Sequence, residues 1–127
     1  MVDANTKLYC LIGNPVKHSL SPAMYNAAFN ALGVNSVYVA FKVRGDRLKE
    51  AVDAIKHLDM GGANVTMPFK TDVIRYLNEV NGEAALAGSV NTIVNEDGKL
   101  RGLSTDGRGA IRAIYEAIPN LEGLTIT

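Results

Sequence analysis

The sequence predicts an α/β domain of three layers, α/β/α, around a mixed and mainly parallel sheet. As far as Leu77, short apolar runs alternate with stretches of helical period. That alternation implies parallel strands joined by right-handed helical crossovers. Beyond it, two strand-like runs flank Asp97-Gly98, a hairpin signal that adds antiparallel strands at one edge. A length of 127 residues at 47% hydrophobic content suits one domain with its own core.

The first strand is Leu8 to Gly13, apolar throughout, as for a strand covered on both faces. Gly13-Asn14-Pro15 breaks it. Ser21-Pro22 opens a helix, with serine as N-cap and proline in the first turn. Gly33 ends that helix, and Tyr25, Ala28, Phe29 and Leu32 form its inward stripe. Val37 to Val43 is the second strand. A helix from Asp46 follows, with Leu48, Val52, Ile55 and Leu58 facing inward. Ala63 to Thr66 is the third strand, Pro68 begins a helix to about Leu77, and Gly82 to Ala87 adds one helical turn. Val90 to Asn95 and Lys99 to Leu103 form the hairpin. Ser104 or Thr105 caps a last helix in which Ile111, Ile114, Tyr115 and Ile118 share a face, and Pro119 stops it.

Composition excludes several classes of function. Thirteen basic residues balance thirteen acidic ones without clustering, so no nucleic-acid partner is predicted. No apolar run approaches the ~20 residues of a membrane span. Cys10 is the single cysteine and stands among Leu8, Tyr9, Leu11 and Ile12, which predicts a packed, unreactive thiol and a cytoplasmic location. His18 and His57 lack ligand spacing, so no metal site is predicted.

Three segments carry candidate chemistry. In Lys17-His18-Ser19-Leu20-Ser21-Pro22, two hydroxyls stand at a helix start, where free N–H groups favour an anion such as a carboxylate. The plain alternative makes Ser21 only a cap and Ser19 a loop residue. In Asn64-Val65-Thr66-Met67-Pro68-Phe69-Lys70, polar side chains stand at the carboxyl end of a strand, where α/β folds bind ligands. Asn64 and Thr66 share a face. Lys70 falls in the first turn of the expected helix, where a cation opposes the dipole, so a partner elsewhere or a solvated surface position are the two readings. In Ser104-Thr105-Asp106-Gly107-Arg108-Gly109, two glycines in a first helical turn suit a close approach by backbone or ligand. Asp106 is either functional or simply a first-turn acid. Asn91, at a strand start, can donate or accept. No Walker motif occurs, and no Gly-x-Gly-x-x-Gly follows a strand.

Gly13-Asn14-Pro15-Val16-Lys17-His18-Ser19-Leu20-Ser21-Pro22, Asn64 to Lys70, Ser89-Val90-Asn91-Thr92 and Thr105-Asp106-Gly107-Arg108-Gly109, in this order, resemble the shikimate dehydrogenase family in its N-terminal substrate-binding (catalytic) domain. The resemblance implies an enzyme that interconverts 3-dehydroshikimate and shikimate with NADP(H), on the route to chorismate and the aromatic amino acids. It implies that Ser19 and Ser21 hold the substrate carboxylate, that Asn64, Thr66, Asn91 and Asp106 hold ring hydroxyls, and that Lys70 and Asp106 form the catalytic pair. Departures from the family pattern are Asn14, Tyr25 and Ser104, where aspartate, histidine and asparagine are frequent; none removes a catalytic position.

The same resemblance implies that NADP binds a separate Rossmann domain in the full-length family, so no cofactor is expected to bind this chain alone. Residues 1–119 are read as the shikimate-binding domain, and residues 120–127 as a linker and the start of that absent second domain. The chain alone is then expected to be inactive, and the face left uncovered to drive homo-oligomerisation. Two other readings stand beside this one: a free-standing, non-catalytic module for a polyhydroxy carboxylate, and a fragment of a quinate/shikimate dehydrogenase.

Overall fold

A computed structural model describes residues 1–118 and Gly123. The expected domain boundary at 119–120, the stop at Pro119 and the strand-like Leu124 to Thr127 lie outside the described residues.

Among the described residues, six strands form one sheet in the order β2-β1-β3-β5-β6-β4. The strands are β1 (Lys7–Gly13), β2 (Ser36–Lys42), β3 (Gly62–Val65), β4 (Glu79–Val80), β5 (Thr92–Glu96) and β6 (Lys99–Leu103). β1 pairs in parallel with β2 and β3, and β4 with β6; β5 runs antiparallel to both β3 and β6. The mixed, mainly parallel sheet is therefore as the sequence predicts. The hairpin does not end it, however, because the two-residue β4 adds an edge strand beyond β6.

Helices flank both faces. Side chains alternate along β1, so Cys10 and Ile12 point one way and Tyr9 and Leu11 the other. Cys10 and Ile12 join a core with Leu48, Val52 and Ile55 of α2 (Leu48–His57), and with Val65, Phe69, Val73, Val90 and Ile93. Tyr9 instead packs on Phe29 of α1 (Ser21–Leu32). The Cys10 thiol is buried as expected, and burial pushes it up to about 11.

Several local expectations hold. Gly33 ends α1 in the left-handed conformation at φ 67°. Asp97 and Gly98 both take positive φ, 51° and 90°, the backbone of a two-residue hairpin loop. α3 (Gly82–Ala87) is capped by Asn81, whose side chain accepts from the Ala84 N–H.

Others are corrected. Leu20, not Ser21, stands at the N-cap of α1, and Ser21 is the first helical residue. Tyr25 and Phe29 are half-buried, but Ala28 and Leu32 are exposed, because α1 lies near the sheet edge and only part of its stripe meets β1 and β2. The second helix begins as a 3-10 turn over Gly45–Arg47 and becomes α-helical at Leu48; Leu58 is exposed. No α-helix starts at Pro68. The segment turns and then makes a 3-10 helix over Asp72–Tyr76. The Lys70 carbonyl, which a helix would commit to residue 74, accepts instead from the Val90 N–H at 2.8 Å. The last helix, α4 (Asp106–Ala117), forms, but Ile118 falls just past it with an extended backbone, Ile114 is only half-buried, and Ile111, Tyr115 and Ile118 are exposed.

Candidate functional site

The four segments converge at the carboxyl ends of β1 and β3. The Asn14 N–H donates to the Met67 carbonyl at 2.9 Å, and the Thr66 N–H to the Ile12 carbonyl at 3.0 Å. The Val65 N–H donates to the Asn91 carbonyl at 2.8 Å, and the Asn91 N–H to the Leu103 carbonyl at 3.0 Å. Turns that are far apart in sequence are thus laced together by backbone bonds. Gly13 makes this fit possible, since a Cβ there would lie 2.3 Å from Thr66 Cγ2.

These turns enclose an open cavity of about 530 Å³. Its wall carries Ser19, Ser21, Asn64, Thr66, Lys70 and Asn91, with Thr105 at the start of α4. Asp106 is brought to the same place through Lys70, whose Nζ donates to Asp106 Oδ2 at 2.7 Å. All seven residues singled out in the sequence therefore stand together. Lys17, read in the same segment, is not among the residues around the cavity.

Two details differ from expectation. Ser21 caps nothing; rather, its N–H donates to Ser19 Oγ at 3.2 Å. Ser19 thus satisfies a free N–H at the helix start and keeps its own hydroxyl hydrogen for a ligand. Lys70 lies in a turn and not in a helical first turn, so the dipole argument for it falls, and its partner is Asp106. The Lys70 hydrogen bond holds the Asp106 carboxyl below the usual 3.8; burial opposes it, and the lysine charge and Asn91 add smaller lowering effects.

The start of α4 is fastened by polar contacts. Asn91 Nδ2 donates to Thr105 Oγ1 at 2.8 Å and to Asp106 Oδ1 at 3.1 Å. Arg108 Nε donates to Glu83 Oε1 on α3 at 2.6 Å. Outside their own helix, Gly107 and Gly109 meet nothing within 4 Å of where a Cβ would stand, so no neighbouring element explains them.

Tyr38 was not visible from sequence. It falls within the predicted strand Val37 to Val43 without being singled out, yet it is buried and donates its phenol O–H to Asn64 Oδ1 at 2.9 Å. The available signal was that a buried tyrosine requires a partner for its hydroxyl. Among the described residues, no three or more His, Cys, Asp or Glu gather as for a metal ion, and no helix is long and apolar enough to cross a membrane.

A family model for the shikimate dehydrogenase substrate binding domain matches residues 11–93. A shikimate dehydrogenase (NADP(+)) from Pyrococcus furiosus is 51% identical over 126 residues, which are 99% of this chain and 46% of that protein. The crystal structure of shikimate dehydrogenase from Aquifex aeolicus matches with a TM-score of 0.93 at 43% identity, over 95% of this chain and 46% of that one. That of shikimate 5-dehydrogenase from Listeria monocytogenes, in complex with shikimate and NAD, matches with a TM-score of 0.87 at 46% identity, over 91% of this chain and 40% of that one. The chain spans less than half the length of these relatives.

Proposed function

Because the chain belongs to the shikimate dehydrogenase substrate-binding domain family, we propose that it is the substrate-binding half of an NADP-dependent shikimate dehydrogenase. The observation that carries this reading is the Lys70–Asp106 pair, 2.7 Å apart, beside a cavity walled by hydroxyls and amides. A ring that bears one carboxylate, several hydroxyls and a carbonyl suits that set of groups.

In this reading Ser19 and Ser21 donate to the carboxylate, next to the free N–H groups of the α1 start. Asn64, Thr66, Asn91 and Asp106 face the ring hydroxyls. Reduction of the carbonyl leaves an alkoxide that needs a proton, and Lys70 supplies it. Asp106 orients the ammonium beforehand and keeps its negative charge beside it. NADPH supplies the hydride. This chain has no Gly-x-Gly-x-x-Gly after a strand to hold a dinucleotide, so the chain by itself binds substrate without turnover. A lone, buried thiol favours a reducing cytoplasm.

Calorimetric titration with shikimate tests this. We expect saturable binding by the wild-type chain, a loss of more than about tenfold for Ser19→Ala, and no NADPH-dependent reduction of 3-dehydroshikimate. A folded chain that does not bind shikimate, or a Ser19→Ala variant that binds it as well as wild type, overturns the assignment.

A further inference from the structure

Tyr38 is held at three levels. Its backbone N–H donates to Asn26 Oδ1 at 2.9 Å, and its carbonyl accepts from Asn26 Nδ2 at 2.8 Å. One side chain of α1 thus takes the place of a neighbouring strand at the outer edge of β2. The ring stacks on Tyr25, also from α1, with centroids 4.4 Å apart and planes 9° from parallel. The residue is 2% exposed.

Its phenol donates to Asn64 Oδ1 at 2.9 Å. The direction of that bond follows from the far side of the amide. Asn64 Nδ2 faces the Asn91 carbonyl at 3.4 Å and Thr92 Oγ1 at 3.3 Å. A carbonyl can only accept, so the nitrogen must face it, the oxygen must face Tyr38, and the phenol must be the donor. The two bonds made by the nitrogen are long, so they direct the amide without saturating it. Burial, then the neighbouring Tyr25 and Cys10, push the phenol pKa upward, so Tyr38 stays a donor at any working pH.

We infer that Tyr38 is a positioning residue: it fixes the orientation of the Asn64 amide at the cavity wall and, through Asn26 and Tyr25, couples Asn64 to α1, the helix that carries Ser21. The carboxylate-binding and hydroxyl-binding walls then act as one rigid unit. This rests on the substrate assignment above. It places part of the recognition of ring hydroxyls on a residue that does not itself touch the ligand.

A double-mutant cycle with shikimate tests the inference. Tyr38→Phe should weaken binding about fivefold in the wild-type background, the worth of one hydrogen bond. In the Asn64→Ala background the same change should alter binding by less than about twofold. An equal loss in both backgrounds, or no loss in the first, overturns the inference. A second readout needs no ligand and decides the matter where Asn64→Ala binds too weakly to titrate. In nitrogen-edited NMR spectra of the free chain, Tyr38→Phe should draw the two Asn64 side-chain amide protons together and speed their exchange. Unchanged amide signals overturn the positioning role, whereas changed signals in a chain that fails to bind shikimate overturn the substrate assignment instead.

Discussion

Asn91 grips Thr105 with both ends of its amide. Its Nδ2 donates to Thr105 Oγ1 at 2.8 Å, and its Oδ1 accepts from the Thr105 N–H at 3.2 Å. The second amide hydrogen goes to Asp106, and Oδ1 also accepts from Thr92 Oγ1 at 2.9 Å. All four hydrogen-bonding places of the side chain are used before any ligand arrives. To hold a substrate hydroxyl, Asn91 must exchange one of them.

The first prediction concerns this clamp. None of the residues of α4 is fully buried, so polar contacts at its start carry much of its attachment. Asn91→Ala should therefore speed hydrogen exchange at the α4 amides while leaving β1 and β3 unchanged, and lower stability to denaturant by about 1–2 kcal/mol. Unchanged exchange in α4 would show that packing, not Asn91, holds the helix.

Local rules made much of this arrangement legible in the sequence. The hairpin follows from Asp97-Gly98 because few other residues accept two successive positive φ values. The site segments were legible because polar residues interrupt apolar runs at strand ends. What escaped depends on partners far away in sequence. Pro68 is a sound helix start by local rules, yet Val90 claims the Lys70 carbonyl and the segment turns instead. The stripe of α1 has the right period, but periodicity does not say how much of a helix its neighbours cover, and Leu32 is left exposed. Tyr38 escaped for the same reason, because its partners Asn26, Tyr25 and Asn64 come from two other elements.

The Lys70–Asp106 pair should show in the pH dependence of stability. The folded state holds the Asp106 carboxyl below 3.8, mainly through Lys70. A depressed folded pKa means that the contribution is fully present above the unfolded value and is lost as pH falls through the folded one. Half of the Asp106 side chain is exposed, 51%, so solvent screens the pair and about 0.5 kcal/mol is expected at neutral pH. Asp106→Asn should be less stable than wild type by that amount at pH 7, and the gap should close below about pH 4. Denaturant titrations of both proteins across this range measure it, and a gap that persists unchanged into acid contradicts the pairing.

Lys70 and Ser19 should separate chemistry from binding. The Lys70 ammonium is already paired with Asp106 before ligand enters, so a ligand gains little by meeting it. Ser19 retains a free hydroxyl hydrogen for the carboxylate. Lys70→Ala should therefore change shikimate affinity by less than about threefold, whereas Ser19→Ala loses more than about tenfold. If calorimetry instead finds the larger loss in Lys70→Ala, the lysine is chiefly a binding group, and proton transfer must be assigned elsewhere.

The outer face of α4 should drive self-association. Ile111 and Tyr115 lie four residues apart on one side of the helix, 59% and 56% exposed, and Ile118, 48% exposed, follows at its extended C-cap. Two large apolar side chains aligned on the helix, with a third just past its end, expose an apolar stripe of the kind that pairs with another surface. A second α4 offers the same stripe, and two helices packed about a two-fold axis would bury both at once. Sedimentation velocity should show the weight-average mass rising with concentration for wild type. Ile111→Glu with Tyr115→Glu should stay monomeric at the same concentrations with an unchanged circular dichroism spectrum, since neither residue belongs to the core. A wild-type chain that stays monomeric at millimolar concentration would show that this stripe does not self-pair.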